Sequence, residues 1–164
     1  MIKNTFLLFL LGFILPQLIL AQNITADMHV QDLEGNEVSL TDYVKEGQIT
    51  LLSFWATWCA PCKKELDHLS SHYDSWKEKY NIEVVAVSTD QASKLEKVIS
   101  TAEEKNWPFS VLIDPNNTMY EALDFQSVPQ IFLIDETGKI VFKRTGYKEE
   151  DKASLEEEIK KLIK

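Results

Sequence analysis

Two cysteines stand in this 164-residue chain, three positions apart, as Cys59-Ala60-Pro61-Cys62. Two thiols cannot build a multi-bridge scaffold or a four-cysteine zinc site, but at this spacing they can close and reopen one disulfide. In such exchange the attacking species is a thiolate, so the surroundings decide which sulfur attacks. Residues 49–56 (ITLLSFWA) are nearly all apolar and read as a strand buried on both faces. Cys62, Leu66, Leu69, Tyr73, Trp76 and Tyr80 then step by four and three, one apolar stripe on a helix of about five turns. The pair therefore falls at a strand-to-helix junction, with both thiols in the first turn. Cys59 takes the helix N-terminus, where unpaired N–H groups and the dipole favour a thiolate. Pro61 suits that turn, since its missing N–H would be unpaired there anyway. Cys62 opens the stripe and is expected beneath. The expected division of labour is that Cys59 attacks a substrate disulfide and Cys62 resolves the mixed disulfide, leaving an internal bridge. The competing reading is a structural staple, but so short a loop restrains the unfolded chain little.

The elements that must hold this pair follow from hydrophobic period and turn signals. Residues 29–33 and 37–40 flank Glu34-Gly35-Asn36 and predict an opening hairpin. Residues 82–88 (IEVVAVS) read as a second buried strand, and Leu95, Val98, Ile99 and Ala102 as a second helical stripe. A short strand at 110–113 ends at Asp114-Pro115-Asn116-Asn117, followed by a short helix over 119–123. Residues 130–134 and 140–143 flank Glu136-Thr137-Gly138-Lys139 as a hairpin, and Leu155, Ile159, Leu162 and Ile163 mark a last helix. A hairpin followed by βαβαβαββα implies an α/β fold with a central mixed sheet flanked by helices.

Residues 1–21 carry one charge, Lys3, ahead of an apolar run and the small Ala21. This is the pattern of a secretory signal peptide, with an uncleaved membrane anchor through residues 5–21 as the alternative. Either way residues 22–164, read as one domain, are expected outside the cytoplasm, in the periplasm or cell envelope. The formal net charge is −9, without the basic surplus of a nucleic-acid binder, so no nucleic-acid partner is expected. A hydrophobic content of 45% excludes global disorder.

The segment Phe54-Trp55-Ala56-Thr57-Trp58-Cys59-Ala60-Pro61-Cys62-Lys63 resembles the active-site segment of the thioredoxin superfamily. Val128-Pro129, followed by the apolar run 131–134, resembles that family's second landmark, a cis-proline facing the disulfide. The leader, the opening hairpin, the added helix–strand segment over 90–114 and Phe132-Leu133-Ile134-Asp135-Glu136-Thr137-Gly138-Lys139 are similar to the extracytoplasmic TlpA/ResA-like branch. The resemblance runs over nearly all of residues 26–164. It implies a thioredoxin-like three-layer sandwich with an N-terminal β-hairpin and an inserted αβ segment. It also implies a thiol-disulfide oxidoreductase whose redox group is the Cys59–Cys62 disulfide itself, without a cofactor or metal. Cys59 would be the nucleophile and Cys62 the resolving thiol. Trp58 would help form the docking surface, and Pro129 would be cis, with the Val128 backbone pairing with substrate. Glu65 matches the acid three residues after the second cysteine of ResA-like members. It borders the buried stripe, where a raised pKa would let it relay a proton. The branch usually acts as a reductant fed by a membrane thiol donor, with disulfides of exported proteins, such as apocytochrome c, as substrate. One departure stands out: thioredoxin's buried acid in the strand before the motif is matched here by Ser53, which cannot act as a general base. Ala60-Pro61 likewise replaces Gly-Pro, which leaves the redox potential open.

Other readings weigh against these. Glu65 could be a solvated helix acid, and Lys63 and Lys64 solvated lysines. His68 and His72, four apart, could share a metal, but no third ligand is evident. A thiol peroxidase of the peroxiredoxin kind shares the wider fold, but its cysteine usually follows a threonine by three residues, whereas Thr57 precedes Cys59 by two. A Sco-like copper-delivery protein would need wider cysteine spacing and a distant histidine.

Overall fold

The computed structural model describes residues 23–163, so the expected signal or anchor over residues 1–21 lies outside the described residues. Eleven regular elements follow in chain order: β1 (His29–Gln31), β2 (Glu37–Ser39), β3 (Ile49–Trp55), α1 (Ala60–Tyr80), β4 (Ile82–Ser88), α2 (Leu95–Lys105), β5 (Ser110–Ile113), α3 (Thr118–Ala122), β6 (Gln130–Ile134), β7 (Ile140–Thr145) and α4 (Asp151–Lys160). The strands form one mixed sheet in the order β2-β1-β5-β4-β3-β6-β7. β3, β4 and β5 run parallel, and every other pairing is antiparallel.

Strand alternation sorts the core into two layers. Leu51, Trp55, Val84, Ala86, Ile113, Ile131 and Leu133 face one side, where α1, α2 and α4 supply Leu66, Leu69, Trp76, Val98, Leu155 and Ile159. Leu52, Phe54, Val85, Val87, Leu112 and Phe132 face the other side, closed by α3, the turn around Leu40 and Phe125. The result is helices, sheet and helix in three layers. Each large side chain buried this way contributes about 1.5–3 kcal/mol. β3 is buried along its whole length, as its unbroken apolar run predicts.

α1 starts on Cys59 as its N-cap and ends at Asn81, whose left-handed backbone (φ 50°) closes the helix by donating its N–H to the Lys77 carbonyl. The Asn81 side chain donates to the Gly47 carbonyl at 2.9 Å, tying the helix end to the loop that enters β3. The whole apolar stripe from Cys62 to Tyr80 is buried.

Several boundaries differ from the sequence reading, each for a local reason. β1 stops at Gln31 because the Asp32 carboxylate turns back to accept from the Glu34 and Asn36 N–H groups. α3 begins at Thr118, one residue early, because buried Asp114 accepts from the N–H groups of Thr118 and Met119. In α2 the buried residues are Val98 and Thr101, whose hydroxyl is satisfied by the Lys97 carbonyl, while Leu95 and Ile99 are only half-buried. α4 ends at Lys160, leaving Leu162 half-buried and Ile163 exposed beyond the helix. β7 runs to Thr145 rather than stopping at residue 143, since Arg144 and Thr145 continue the ladder opposite Ile131 and Gln130.

Candidate active site

The carboxyl end of the central strand β3 delivers the chain into the motif. Thr89 donates its N–H to the Trp55 carbonyl (2.8 Å), extending the β3–β4 pairing by one step. The next turn is held by Asp90, a buried carboxylate that accepts from the Thr57 N–H (2.7 Å), the Thr57 hydroxyl (2.8 Å) and the Ser88 hydroxyl (2.8 Å). Lys63 reaches back and donates to the Thr57 carbonyl at 3.0 Å, so it is tied to this turn rather than solvated. Lys64 is exposed.

Cys59 and Cys62 are joined as a disulfide with their Cα atoms 5.3 Å apart. The Cys62 N–H donates to Cys59 Sγ at 3.2 Å, so a helix-N-terminal amide points at the first sulfur. Cys59 keeps 4% exposure and Cys62 none, which places the second sulfur beneath the first. Trp58, beside them, is 73% exposed. A shallow cleft of about 260 Å³ opens on the helix side between Ala60, Pro61 and Lys64 and the segment Tyr147, Lys148 and Glu149.

The antiparallel β3–β6 register sets Phe54 opposite Gln130, so the residues just ahead of Gln130 are carried to the end of β3 where the motif begins. Those residues are Val128 and Pro129, joined by a cis peptide bond. Pro129 is buried and Val128 half-buried. The segment after β7 clamps this loop: Gly146 donates its N–H to the Pro129 carbonyl at 2.8 Å, and Thr145 donates its hydroxyl to Gln130 Oε1 at 2.5 Å.

Glu65, one turn past Cys62, is 1% exposed. A solvated helix acid is therefore ruled out. The carboxylate lies over a row of residues that the sheet register lines up on one face: Ala86, Ser53, Ile131 and Arg144. Ser53 Oγ donates to Glu65 Oε2 at 3.4 Å, and Arg144 Nη2 donates to Oε1 at 2.9 Å. Burial pushes the Glu65 pKa up to about 7 from 4.5, against the downward pull of the Arg144 hydrogen bond and charge and of the Ser53 hydroxyl. An acid so poised can take and return a proton near neutrality. Where thioredoxin carries an acid on the strand, this chain brings one down from the helix onto Ser53.

The sequence reading missed Arg144, Asp90 and Asp151. Arg144 donates from Nη1 to the Asp151 carbonyl at 3.4 Å, at the start of α4. A signal for Arg144 exists: it follows Phe142 at period two, which puts a charge on the inward face of a strand. It becomes readable only once β7 is known to extend past residue 143. His68 and His72 pack together with ring centroids 4.4 Å apart, and His72 lies against Trp76. Among the described residues no group of three or more His, Cys, Asp or Glu is placed to hold a metal ion.

Comparison with known proteins agrees with this geometry. The profile of the AhpC/TSA family matches residues 21–143. The thiol-disulfide oxidoreductase ResA of Bacillus thuringiensis subsp. konkukian is 34% identical over 133 residues, covering 81% of this chain and 73% of the relative. The solution structure of an uncharacterized thioredoxin-like protein from Porphyromonas gingivalis aligns with a TM-score of 0.76 at 30% identity, covering 87% of this chain and 93% of that one. The crystal structure of a putative thiol:disulfide interchange protein DsbE from Chlorobium tepidum aligns with a TM-score of 0.74 at 26% identity, covering 87% and 96%. The chain belongs to the AhpC/TSA family of thioredoxin-like proteins and, within it, to the thiol-disulfide oxidoreductases that ResA represents.

Proposed function

We propose that this oxidoreductase works outside the cytoplasm as a reductant of disulfides in exported proteins, with the cysteine pair of apocytochrome c as the leading substrate class and a membrane thiol donor restoring the dithiol. The resemblance of the Cys59–Cys62 segment and of Glu65 to the ResA-like branch supports the direction, and the apolar run over residues 5–21 supports export, whether as a cleaved signal or a membrane anchor. The observation that carries the mechanism is the buried Glu65 one helical turn past Cys62.

In the reduced protein Cys59 attacks as the thiolate, stabilised by the helix N-terminus and the Cys62 N–H. A substrate strand lies against exposed Trp58 and pairs with the backbone at Val128, ahead of Pro129. Attack breaks the substrate S–S bond and leaves Cys59 in a mixed disulfide. Cys62 then gives its proton to the Glu65 carboxylate and bonds to Cys59. The Cys59–substrate bond breaks with its electron pair on the substrate sulfur, which water protonates. Two electrons have passed to the substrate, and the internal disulfide remains. The redox group is the sulfur pair itself.

Equilibration with glutathione and dithiothreitol tests the direction. The expected potential is near that of thioredoxin, about −270 mV; a value near that of a dedicated oxidant, about −120 mV, would reverse the assignment.

The family profile leaves a thiol peroxidase as the second reading. Against it stands Thr57, whose hydroxyl is committed to Asp90. Peroxide consumption by the wild type that Cys59→Ser abolishes would favour it.

A further inference from the structure

Arg144 and Glu65 form a buried ion pair that the thiol chemistry above leaves unexplained: the arginine side chain is 14% exposed and the carboxylate 1%. A charge pair removed from water is costly, and an apolar pair would pack this site as well. The guanidinium is also incompletely satisfied by its surroundings. Among the described residues its one short bond goes to Glu65, Nη1 makes a 3.4 Å contact with the Asp151 carbonyl, and buried Nε has no hydrogen-bond partner, 4.0 Å from the Asp151 carboxylate. The same strand end carries Thr145 and Gly146, which hold Gln130 and Pro129. Arg144 thus stands between the proton acceptor and the clamp on the docking loop.

We propose that Arg144 is a positioning residue for thiol exchange, acting through Glu65: its guanidinium keeps the buried carboxylate oriented and charged, so that the carboxylate can accept the proton Cys62 must lose. The inference rests on the oxidoreductase reading and deepens it. The groups acting on the Glu65 carboxylate are Ser53 from β3, Arg144 from β7 and Asp151 from the start of α4, with Cys62 one turn back on its own helix. Arg144 favours the ionised form and Asp151 disfavours it, so the two should have opposite effects on the step.

The test uses single-turnover oxidation of the reduced protein by the chromogenic disulfide dithiobis-nitrobenzoate. The first equivalent of coloured thiol reports attack by Cys59, and the second reports attack by Cys62. In the wild type the second phase rises with pH along a limb set by Glu65. Arg144→Met should move that limb up by about one to three pH units and slow the second phase at neutral pH at least about tenfold, with recovery at higher pH. Arg144→Lys, which keeps the charge, should restore most of the shift. Asp151→Asn should move the limb the other way, which keeps the test decisive if Arg144→Met does not fold. In a Glu65→Gln background Arg144→Met should add nothing. An unchanged limb in Arg144→Met, an equal slowing in the Glu65→Gln background, or an upward shift in Asp151→Asn would overturn the proposal. A wild type that releases no coloured thiol would instead overturn the oxidoreductase reading beneath it.

Discussion

Ser53 on the central strand and Glu65 on the helix above it share a buried hydrogen bond of 3.4 Å, one helical turn past Cys62. The hydroxyl marks where the carboxylate descends into the apolar layer, and burial there raises its pKa from 4.5 to about 7. Between these values the folded protein holds a proton that the unfolded chain releases. The stability this represents is fully present below about pH 4.5 and is lost as pH rises through about 7, a swing of at most about 3 kcal/mol. Urea unfolding of the oxidised protein from about pH 5 to pH 8 should therefore show the wild type losing about 2–3 kcal/mol relative to Glu65→Gln. Parallel curves would mean that Glu65 does not titrate in this range.

Asp90 should matter for the shape of the motif rather than its chemistry. Its carboxylate holds the Thr57 N–H, the Thr57 hydroxyl and the Ser88 hydroxyl at once. Asp90→Ala leaves these buried donors without an acceptor, at a cost of about 2–4 kcal/mol. Chemical unfolding gives the stability and an alkylation rate gives the reactivity of Cys59, and both are expected to fall. A variant with wild-type stability would contradict the role assigned here.

Trp58 is exposed to a degree unusual for a large aromatic, 73%. Its contribution to the fold is correspondingly small, within about 0.5 kcal/mol for Trp58→Ala. If it forms part of the docking surface, the same change should raise KM for a protein disulfide severalfold while leaving the rate with a small chromogenic disulfide near wild type. Equal effects on both substrates would place Trp58 in the chemistry instead of the docking.

How much of this was readable beforehand depends on the range of the interaction. The strand-to-helix junction, the buried stripe from Cys62 to Tyr80 and the order of elements follow from period and turn chemistry, because they are set within a few residues. The position of Glu65 beside that stripe was readable, but its burial depended on what lay across from it. The Arg144 partner is 79 residues away, and only the sheet register brings Arg144, Ile131 and Ser53 into one row. Asp90 sits 33 residues from Thr57 and meets it because β4 pairs in parallel with β3. The apolar pattern of β7 reads only as far as residue 143, and only the partner strand shows that the ladder continues through Arg144 and Thr145.

The two sulfurs should separate cleanly by substitution. Cys59→Ser should abolish disulfide reduction, while Cys62→Ser should retain the first attack and lose turnover. Single-turnover and steady-state assays side by side resolve this; full turnover in either variant would remove that sulfur from the mechanism.

The most direct test of the account is a trap. Reduced Cys62→Ala protein, incubated with a disulfide-bearing exported protein, should accumulate a covalent conjugate that dithiothreitol releases and that the Cys59→Ser, Cys62→Ala double variant cannot form. No conjugate, or one that persists without Cys59, would contradict a nucleophile at position 59 resolved by its buried neighbour.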